Sequence, residues 1–239
     1  MSLVARVSRG IRDDVAGLMR HPGPRRNTRP LAAAVLAACA ITVPAAPAAS
    51  ADPCPGVEVI FARSTNGVGL GDVGQLLVDT VRSKAGGRSV EAYSVNYPAS
   101  FDFPNSLPIG AVDAAGRVQW LADNCPNTRI VLSGLSQGAG VVDLITMDRP
   151  LGEWTPTPMP PDLADHVAAV AVFGNPAGNI PGGGSLATMS RLYGAKTIDL
   201  CAPDDMYCWP GGQSFLAHIA YAQNGMVAQA ADFVAARLQ

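Results

Sequence analysis

The segment that decides the fold is "RIVLSGLSQGAGVVDLITM", residues 129–147. It begins with a short apolar run, continues into a serine enclosed by two glycines ("GLSQG", 134–138), and ends in an apolar stretch with helical spacing. A buried strand that turns sharply into a helix through G-x-S-x-G is typical of a nucleophile elbow, whose strained turn exposes the serine hydroxyl. The pattern predicts a strand over 129–133, a helix over 137–147 and Ser136 as a candidate nucleophile.

Four more apolar runs are rich in Val and Ile with little alternation, which favours strands buried on both faces. They are "VEVIFA" (57–62), "VEAYSVNY" (90–97), "VAAVAVFG" (167–174) and "KTIDL" (196–200). Segments with helical spacing lie between and after them, at 72–84, 110–124 and 215–238, the last as one or two helices. Strand–helix alternation predicts an α/β fold with a five-stranded parallel sheet flanked by helices. The Pro-rich stretch 149–161 is expected to be a rigid surface loop.

The first fifty residues have the three regions of a secretory signal peptide. A basic opening precedes the apolar run 31–43, which is shorter than the roughly 20 residues of a membrane span. Ala49-Ser50-Ala51 then matches a small-x-small cleavage site. We expect residues 1–51 to be removed and 52–239 to form one domain. Two alternatives are open: Met19 as the true start, and a lipid anchor on Cys39, which ends a lipobox-like "LAAC".

Charge and cysteine usage narrow the class of protein. The formal net charge is −2, and acidic residues outnumber basic ones after residue 51, which argues against nucleic acid as a partner.

Four of the five cysteines remain after cleavage, an even number that suggests two disulfides in an exported protein. The short spacing favours Cys201 with Cys208, which leaves Cys54 with Cys125. The spacing does not resemble a zinc motif, so no metal site is predicted.

A serine nucleophile needs a base, and only two histidines follow residue 51. His166 precedes the fourth predicted strand, at the edge opposite to that where ligands bind in open α/β sheets. His218 follows the last strand and is the better candidate. The carboxylate that orients such a histidine comes between the serine and the histidine in this layout. Asp204 and Asp205, inside "CAPDDMYC", both qualify, and the residues alone do not choose between them.

The chain resembles the cutinase family, especially the cutinase-like proteins of mycobacteria and related actinobacteria. The matching stretches, in order, are "DPCPGVEVIFARSTN", "YSVNYPAS", "GLSQGAGVVD", "FGNPAGN", "LCAPDDMYC" and "HIAY". The resemblance implies a small α/β-hydrolase without a cap domain or cofactor. It assigns the catalytic roles to Ser136, Asp205 and His218, and the same two disulfides.

An oxyanion hole completes this expectation. The backbone N–H of Gln137 should contribute, together with a group from the loop after the first strand. By resemblance that group belongs to Thr65. The loop departs from the family pattern in three ways. Ser64 occupies the position where the family usually has Gly, and Gly67 lies near a position where the family commonly has Glu. The loop is also one residue shorter than in the family.

The expected function is that of a secreted serine esterase, acting on short- to medium-chain acyl esters, lipids or cutin-like polyesters through an acyl-enzyme. Its partners would be an ester or lipid substrate and a lipid surface or cell wall, and the protein would be a monomer. Phe215, Leu216 and Ile219 could receive an acyl chain or belong to a helix core. One alternative is an acetylxylan-type carbohydrate esterase. Another, raised by the altered loop at 63–67, is a non-catalytic cell-wall-associated protein of the same fold.

Overall fold

The five predicted strands form one parallel sheet in the order β2-β1-β3-β4-β5. The computed structural model describes residues 54–150 and 154–239, so the predicted signal peptide, Met19 and Cys39 lie outside the described residues. The strands are β1 (Val57–Ala62), β2 (Val90–Ser94), β3 (Arg129–Leu135), β4 (Val167–Phe173) and β5 (Thr197–Leu200). The predicted α/β sheet is confirmed.

Helices cover both faces of this sheet. They are α1 (Gly71–Lys84), α2 (Phe103–Asn124), α3 (Gln137–Thr146), α4 (Leu186–Met189), α5 (Phe215–Ile219) and α6 (Met226–Ala235), with 3-10 turns at Pro161–His166, Pro176–Asn179 and Gly194–Lys196. Successive strand residues point to opposite faces. Ile60 and Leu132 pack with α2 and α3, whereas Val59 and Val131 pack with α1 and α6. Burial on both faces explains why β1, β3 and β4 are mostly apolar. The edge strand β2 is partly exposed, so the expectation of burial on both faces is wrong for that strand.

Helix α2 begins at Phe103, seven residues before the predicted start at 110. Pro104 lies in the first turn, where no backbone N–H donor is needed. Pro108 lies inside the helix and forgoes one backbone hydrogen bond. The helix tolerates that loss because Leu107 and Ala111 beside it are buried against the core. The earlier start brings Phe103 and Leu107 to the edge of the sheet at which Ser136 lies.

The segments after α3 agree with the expected one or two closing helices. The closing stretch 215–238 forms two helices, and the second begins after Gly225, whose φ of 85° favours glycine. The described part of the Pro-rich stretch follows the end of α3. The N–H groups of Thr157 and Met159 donate to the carbonyls of Leu144 and Ile145.

Two disulfides join the four predicted cysteines. Cys54 bonds to Cys125, and Cys201 bonds to Cys208, so the predicted pairing is confirmed. The first ties the start of the described chain to the end of α2. The second encloses the loop after β5. Within the part of the chain that the structure describes, no helix is both long and apolar enough to cross a membrane.

Candidate active site

Ser136 lies in a strained turn between β3 and α3. Its φ of 57° and ψ of −117° are unusual for a residue with a side chain, and such strain is concentrated at functional sites. Its backbone N–H donates to the Phe173 carbonyl at 2.9 Å, which fixes the turn against β4. The geometry is that of the predicted elbow.

The two glycines around Ser136 allow β1, β3 and α3 to approach closely. A Cβ at Gly138 would overlap the carbonyl oxygen of Ala62 and lie 2.5 Å from its carbonyl carbon. A Cβ at Gly134 would overlap the Gly138 carbonyl oxygen in the same way. The atoms in the way are backbone and cannot rotate aside. Both positions therefore require glycine for packing.

His218 and Asp205 form a buried pair after the last strand. Nδ1 of His218, on α5, lies 2.9 and 2.8 Å from the two carboxylate oxygens of Asp205. An ionised carboxylate can only accept hydrogen bonds, so Nδ1 carries the proton and Nε2 is left with its lone pair. Two further donors hold the carboxylate: the Tyr221 hydroxyl at 2.6 Å and the Tyr207 backbone N–H at 2.8 Å.

These contacts keep Asp205 ionised. Burial acts to raise its pKa, but the hydrogen bonds from His218, Tyr221 and the Tyr207 backbone outweigh burial and hold the pKa below its usual range. Asp204 has a different place: its carboxylate accepts from the Gln213 N–H, and its φ of 66° turns the side chain out to solvent. The structure thus brings Asp205, and not Asp204, to His218.

Two residues that sequence reasoning did not single out position His218. Tyr221 donates to Asp205, and burial, followed by Asp205 itself, raises the pKa of its hydroxyl. Gly174, just after β4, has a φ of 55°, and a Cβ there would lie 2.9 Å from Cε1 of His218. The stretches "HIAY" and "FGNPAGN" contain these residues, but only packing reveals what each one does.

One cavity of about 400 Å³ joins the predicted site residues. Ser136, Gln137, His218, Ser64 and Thr65 line it, while Asp205 is buried behind His218. Its apolar walls come from segments that follow the two edge strands and α3. One wall, after β2, contains Phe101, Phe103 and Leu107. The other wall, after β5, contains Tyr207, Phe215 and Ile219, and Trp154 comes from the segment after α3. Phe215 and Ile219 are about half exposed, so they belong to the cavity wall and not to a helix core. Leu216 is exposed and does not line the cavity.

Arg63 organises the loop that carries Thr65. Its guanidinium donates to the carbonyls of Gly67, Val95 and Tyr97, and the Tyr97 hydroxyl donates back to the Arg63 carbonyl. The N–H of Asn66 donates to the Ala99 carbonyl at 2.6 Å. The shortened loop is therefore fixed to the chain after β2, with Ser64 and Thr65 on the cavity wall.

Within the described ranges, one group of residues has metal-ligand chemistry: Cys201, Asp205 and Cys208. The two sulfurs are bonded to each other, and the carboxylate is engaged by His218 and Tyr221. Neither sulfur is available as a thiolate ligand.

Two carboxyl groups outside the proposed triad, those of the buried Asp143 and the partly buried Asp199, share the amide of Asn175. Asn175 donates to Oδ1 of Asp143 at 3.1 Å and to Oδ2 of Asp199 at 3.3 Å, and the Leu186 N–H also donates to Asp199. Burial, and next the nearby Asp199, raises the pKa of Asp143 well above its usual range. Burial raises the pKa of Asp199 to about 6.

Asp199→Asn should therefore reduce the decrease in the free energy of unfolding that occurs as the pH rises from 4 to 6. The folded carboxyl keeps its proton to about pH 6, while the unfolded one releases it near 3.8. This contribution to stability is complete below the unfolded pKa and disappears as the pH rises through the folded one. The difference in the free energy of unfolding between the variant and the wild type should shift in favour of the variant by about 1–2 kcal/mol between acid and neutral pH. Urea unfolding at both pH values measures the difference, with the exposed Asp123→Asn as control. An equal change in the two variants would contradict the assignment.

A parallel sheet that presents a strained serine after its central strand, with a histidine–aspartate pair after its last strand, defines an α/β-hydrolase. The particular family follows from the sequence. The model of the family described as Cutinase matches residues 53–238. The chain belongs to the cutinase family of carboxylic ester hydrolases.

Relatives and solved structures agree with this membership. Carboxylesterase Culp1 of Mycobacterium tuberculosis is 52% identical over 196 residues, which cover 80% of this chain and 85% of Culp1. Phospholipase Culp4 of the same species is 44% identical over 225 residues, 93% of this chain and 96% of Culp4. A Trichoderma reesei cutinase in complex with a phosphonate inhibitor has a TM-score of 0.62 at 29% identity, over 79% of this chain and 78% of that one. An acetylxylan esterase shares the fold with a TM-score of 0.67 at 24% identity, over 78% and 100%.

Proposed function

We propose that the chain is an exported serine esterase that hydrolyses acyl esters through Ser136, His218 and Asp205. The observation that carries the proposal is the strained Ser136 elbow, which shares a cavity wall with a histidine already held by a buried carboxylate. The family supports ester hydrolysis as the reaction.

In the proposed mechanism, Nε2 of His218 accepts the proton of the Ser136 hydroxyl as its oxygen attacks the ester carbonyl carbon. Asp205 stabilises the imidazolium that forms. The backbone N–H of Gln137 and the N–H and hydroxyl of Thr65 bind the oxyanion of the tetrahedral intermediate. His218 then protonates the leaving alcohol. Water, deprotonated by His218, attacks the acyl-enzyme, and the acid is released with Ser136 restored.

The apolar residues that line the cavity favour esters of hydrocarbon acids as substrates. Aromatic and aliphatic side chains make up both walls, which suits the burial of an acyl chain. The names of the mycobacterial relatives, a carboxylesterase and a phospholipase, point the same way. Export is supported by the leader pattern of residues 1–51 and by two disulfides, which form in oxidising compartments.

Labelling with a fluorophosphonate tests the proposed nucleophile directly. We expect a single adduct, mapped by mass spectrometry to Ser136, and no adduct in Ser136→Ala. The same variant should lose p-nitrophenyl butyrate hydrolysis by about 10⁶-fold in kcat. Ser133→Ala, in β3, is the control for a nearby serine. Labelling that persists in Ser136→Ala would contradict the assignment. Acetylated xylan assayed in parallel tests the carbohydrate esterase alternative.

A further inference from the structure

A second cavity adjoins the proposed active site. It has a volume of about 290 Å³, and all of its lining side chains except that of Thr155 are those of apolar residue types, with backbone polar atoms also on the wall. Phe103, Leu107 and Trp154 line both cavities, so the two cavities adjoin each other. The second cavity extends away from Ser136, past Leu107 and Trp154, toward Pro104, Pro108 and Leu144.

The shared wall rests on a glycine of α3. A Cβ at Gly140 would lie 3.2 Å from ring carbons of Trp154 and 3.2 Å from Cδ2 of Leu107. Any larger residue at this position would press on both side chains that separate the cavities. The absence of a side chain at Gly140 therefore lets Trp154 and Leu107 settle close to the helix.

The proposed chemistry gives the two sides of the first cavity different roles. His218 must protonate the leaving alcohol, so the alcohol lies on the side of His218, with Tyr207, Phe215 and Ile219. Gln137 and Thr65 take the oxyanion. The acyl chain is the remaining substituent of the tetrahedral carbon, and the apolar wall left to receive it contains Phe103, Leu107 and Trp154. The second cavity lies beyond that wall.

We propose that the second cavity binds the distal part of the scissile acyl chain and thereby makes the enzyme selective for long-chain esters. This inference rests on the proposed function. The lining provides no charged group and one hydroxyl, which suits methylene groups and not a phosphate or sugar. Each methylene transferred from water to this cavity should raise kcat/KM by about fourfold until the cavity is full.

Thr155→Trp tests the proposal because Thr155 is exposed and lines only the second cavity. The substrates are p-nitrophenyl acetate, butyrate, octanoate and dodecanoate, each below its aggregation threshold. We expect the ratio of kcat/KM for dodecanoate to that for acetate to fall by about tenfold or more, equivalent to about two buried methylenes. Activity on acetate should remain within about twofold, since acetate does not reach the second cavity.

Thr157→Trp is the matched control. This threonine is also exposed, is two residues away on the same loop, and lines neither cavity. Its chain-length profile should match the wild type. Leu144→Phe enlarges another side chain that lines the second cavity and should shift the profile in the same direction, with thermal unfolding as a check on folding.

The possible outcomes distinguish a failure of the acyl-chain proposal from a failure of the proposed function. Retained acetate activity with an unchanged dodecanoate-to-acetate ratio in Thr155→Trp would overturn the proposal and leave the proposed function standing. A loss confined to a diacyl glycerophospholipid, with dodecanoate unaffected, would also overturn it and assign the cavity to a second chain. A wild-type protein that hydrolyses no ester would remove the proposed function and the inference with it.

Discussion

Asp205→Asn is expected to lower kcat/KM for p-nitrophenyl butyrate by about 10⁴-fold, with little change in the fold. The carboxylate now accepts from Nδ1 of His218, the Tyr221 hydroxyl and the Tyr207 N–H. An amide of the same shape can place its NH₂ group against His218, which favours the tautomer with the proton on Nε2. That tautomer cannot accept the serine proton. Steady-state kinetics with urea unfolding of the same preparation separates lost chemistry from lost structure.

Asp204→Asn is the matched control for this prediction. The two residues are neighbours inside the same disulfide loop, but Asp204 is exposed. Its carboxylate accepts one hydrogen bond, from the backbone N–H of Gln213. Its replacement should change kcat/KM by less than about threefold. If Asp204→Asn showed the larger loss, the assignment of Asp205 would be wrong.

Gly138→Ala is expected to destabilise the protein by about 3 kcal/mol or more. The added methyl group would overlap the Ala62 carbonyl oxygen and lie 2.7 Å from that of Arg63. Both are backbone atoms at the end of β1, so α3 would have to move away from the sheet. Such a shift would displace the Gln137 N–H and would separate Ser136 from His218. Chemical denaturation and fluorophosphonate labelling measure the two effects.

Gly116→Ala in α2 controls for the general effect of replacing a helical glycine. A Cβ at Gly116 has no atom within 4 Å, and the residue is exposed. Alanine has the higher helix propensity, so this variant should be more stable by about 0.5–1 kcal/mol. Equal stability of the two variants would mean that contact with β1 does not constrain Gly138.

The sequence predicts the parts of this protein that depend on local pattern. The three central strands are recognisable because burial on both faces keeps them mostly apolar, and the edge strands β2 and β5 are recognisable as short Val- or Ile-containing runs between helical segments. The serine elbow is recognisable because its two glycines are required by backbone contacts within a short stretch. His218 is recognisable through scarcity, since only one other histidine follows residue 51 and that one lies at the wrong edge of the sheet.

The remainder depends on packing between distant segments. Asp204 and Asp205 cannot be ranked from their residue types, because the choice is made by the left-handed turn at Asp204. The early start of α2 is hidden by two prolines whose cost is offset by burial of their neighbours. The Arg63 contacts that hold the Thr65 loop reach carbonyls about thirty residues away and leave no local signal.

The Cys54–Cys125 bond divides the polypeptide topologically into a ring and a tail. The two cysteines are 71 positions apart, and β1, α1, β2 and α2 all lie between them. The ring holds Thr65, Phe103 and Leu107, which contact the substrate in the proposed complex. The tail holds Ser136, Asp205 and His218. Tension applied between the two ends of the chain cannot extend this ring, or the small Cys201–Cys208 loop around Asp205, while the bonds are intact. It would unravel the segments that carry Ser136 and His218 and leave the part of the substrate surface that lies within the ring covalently closed.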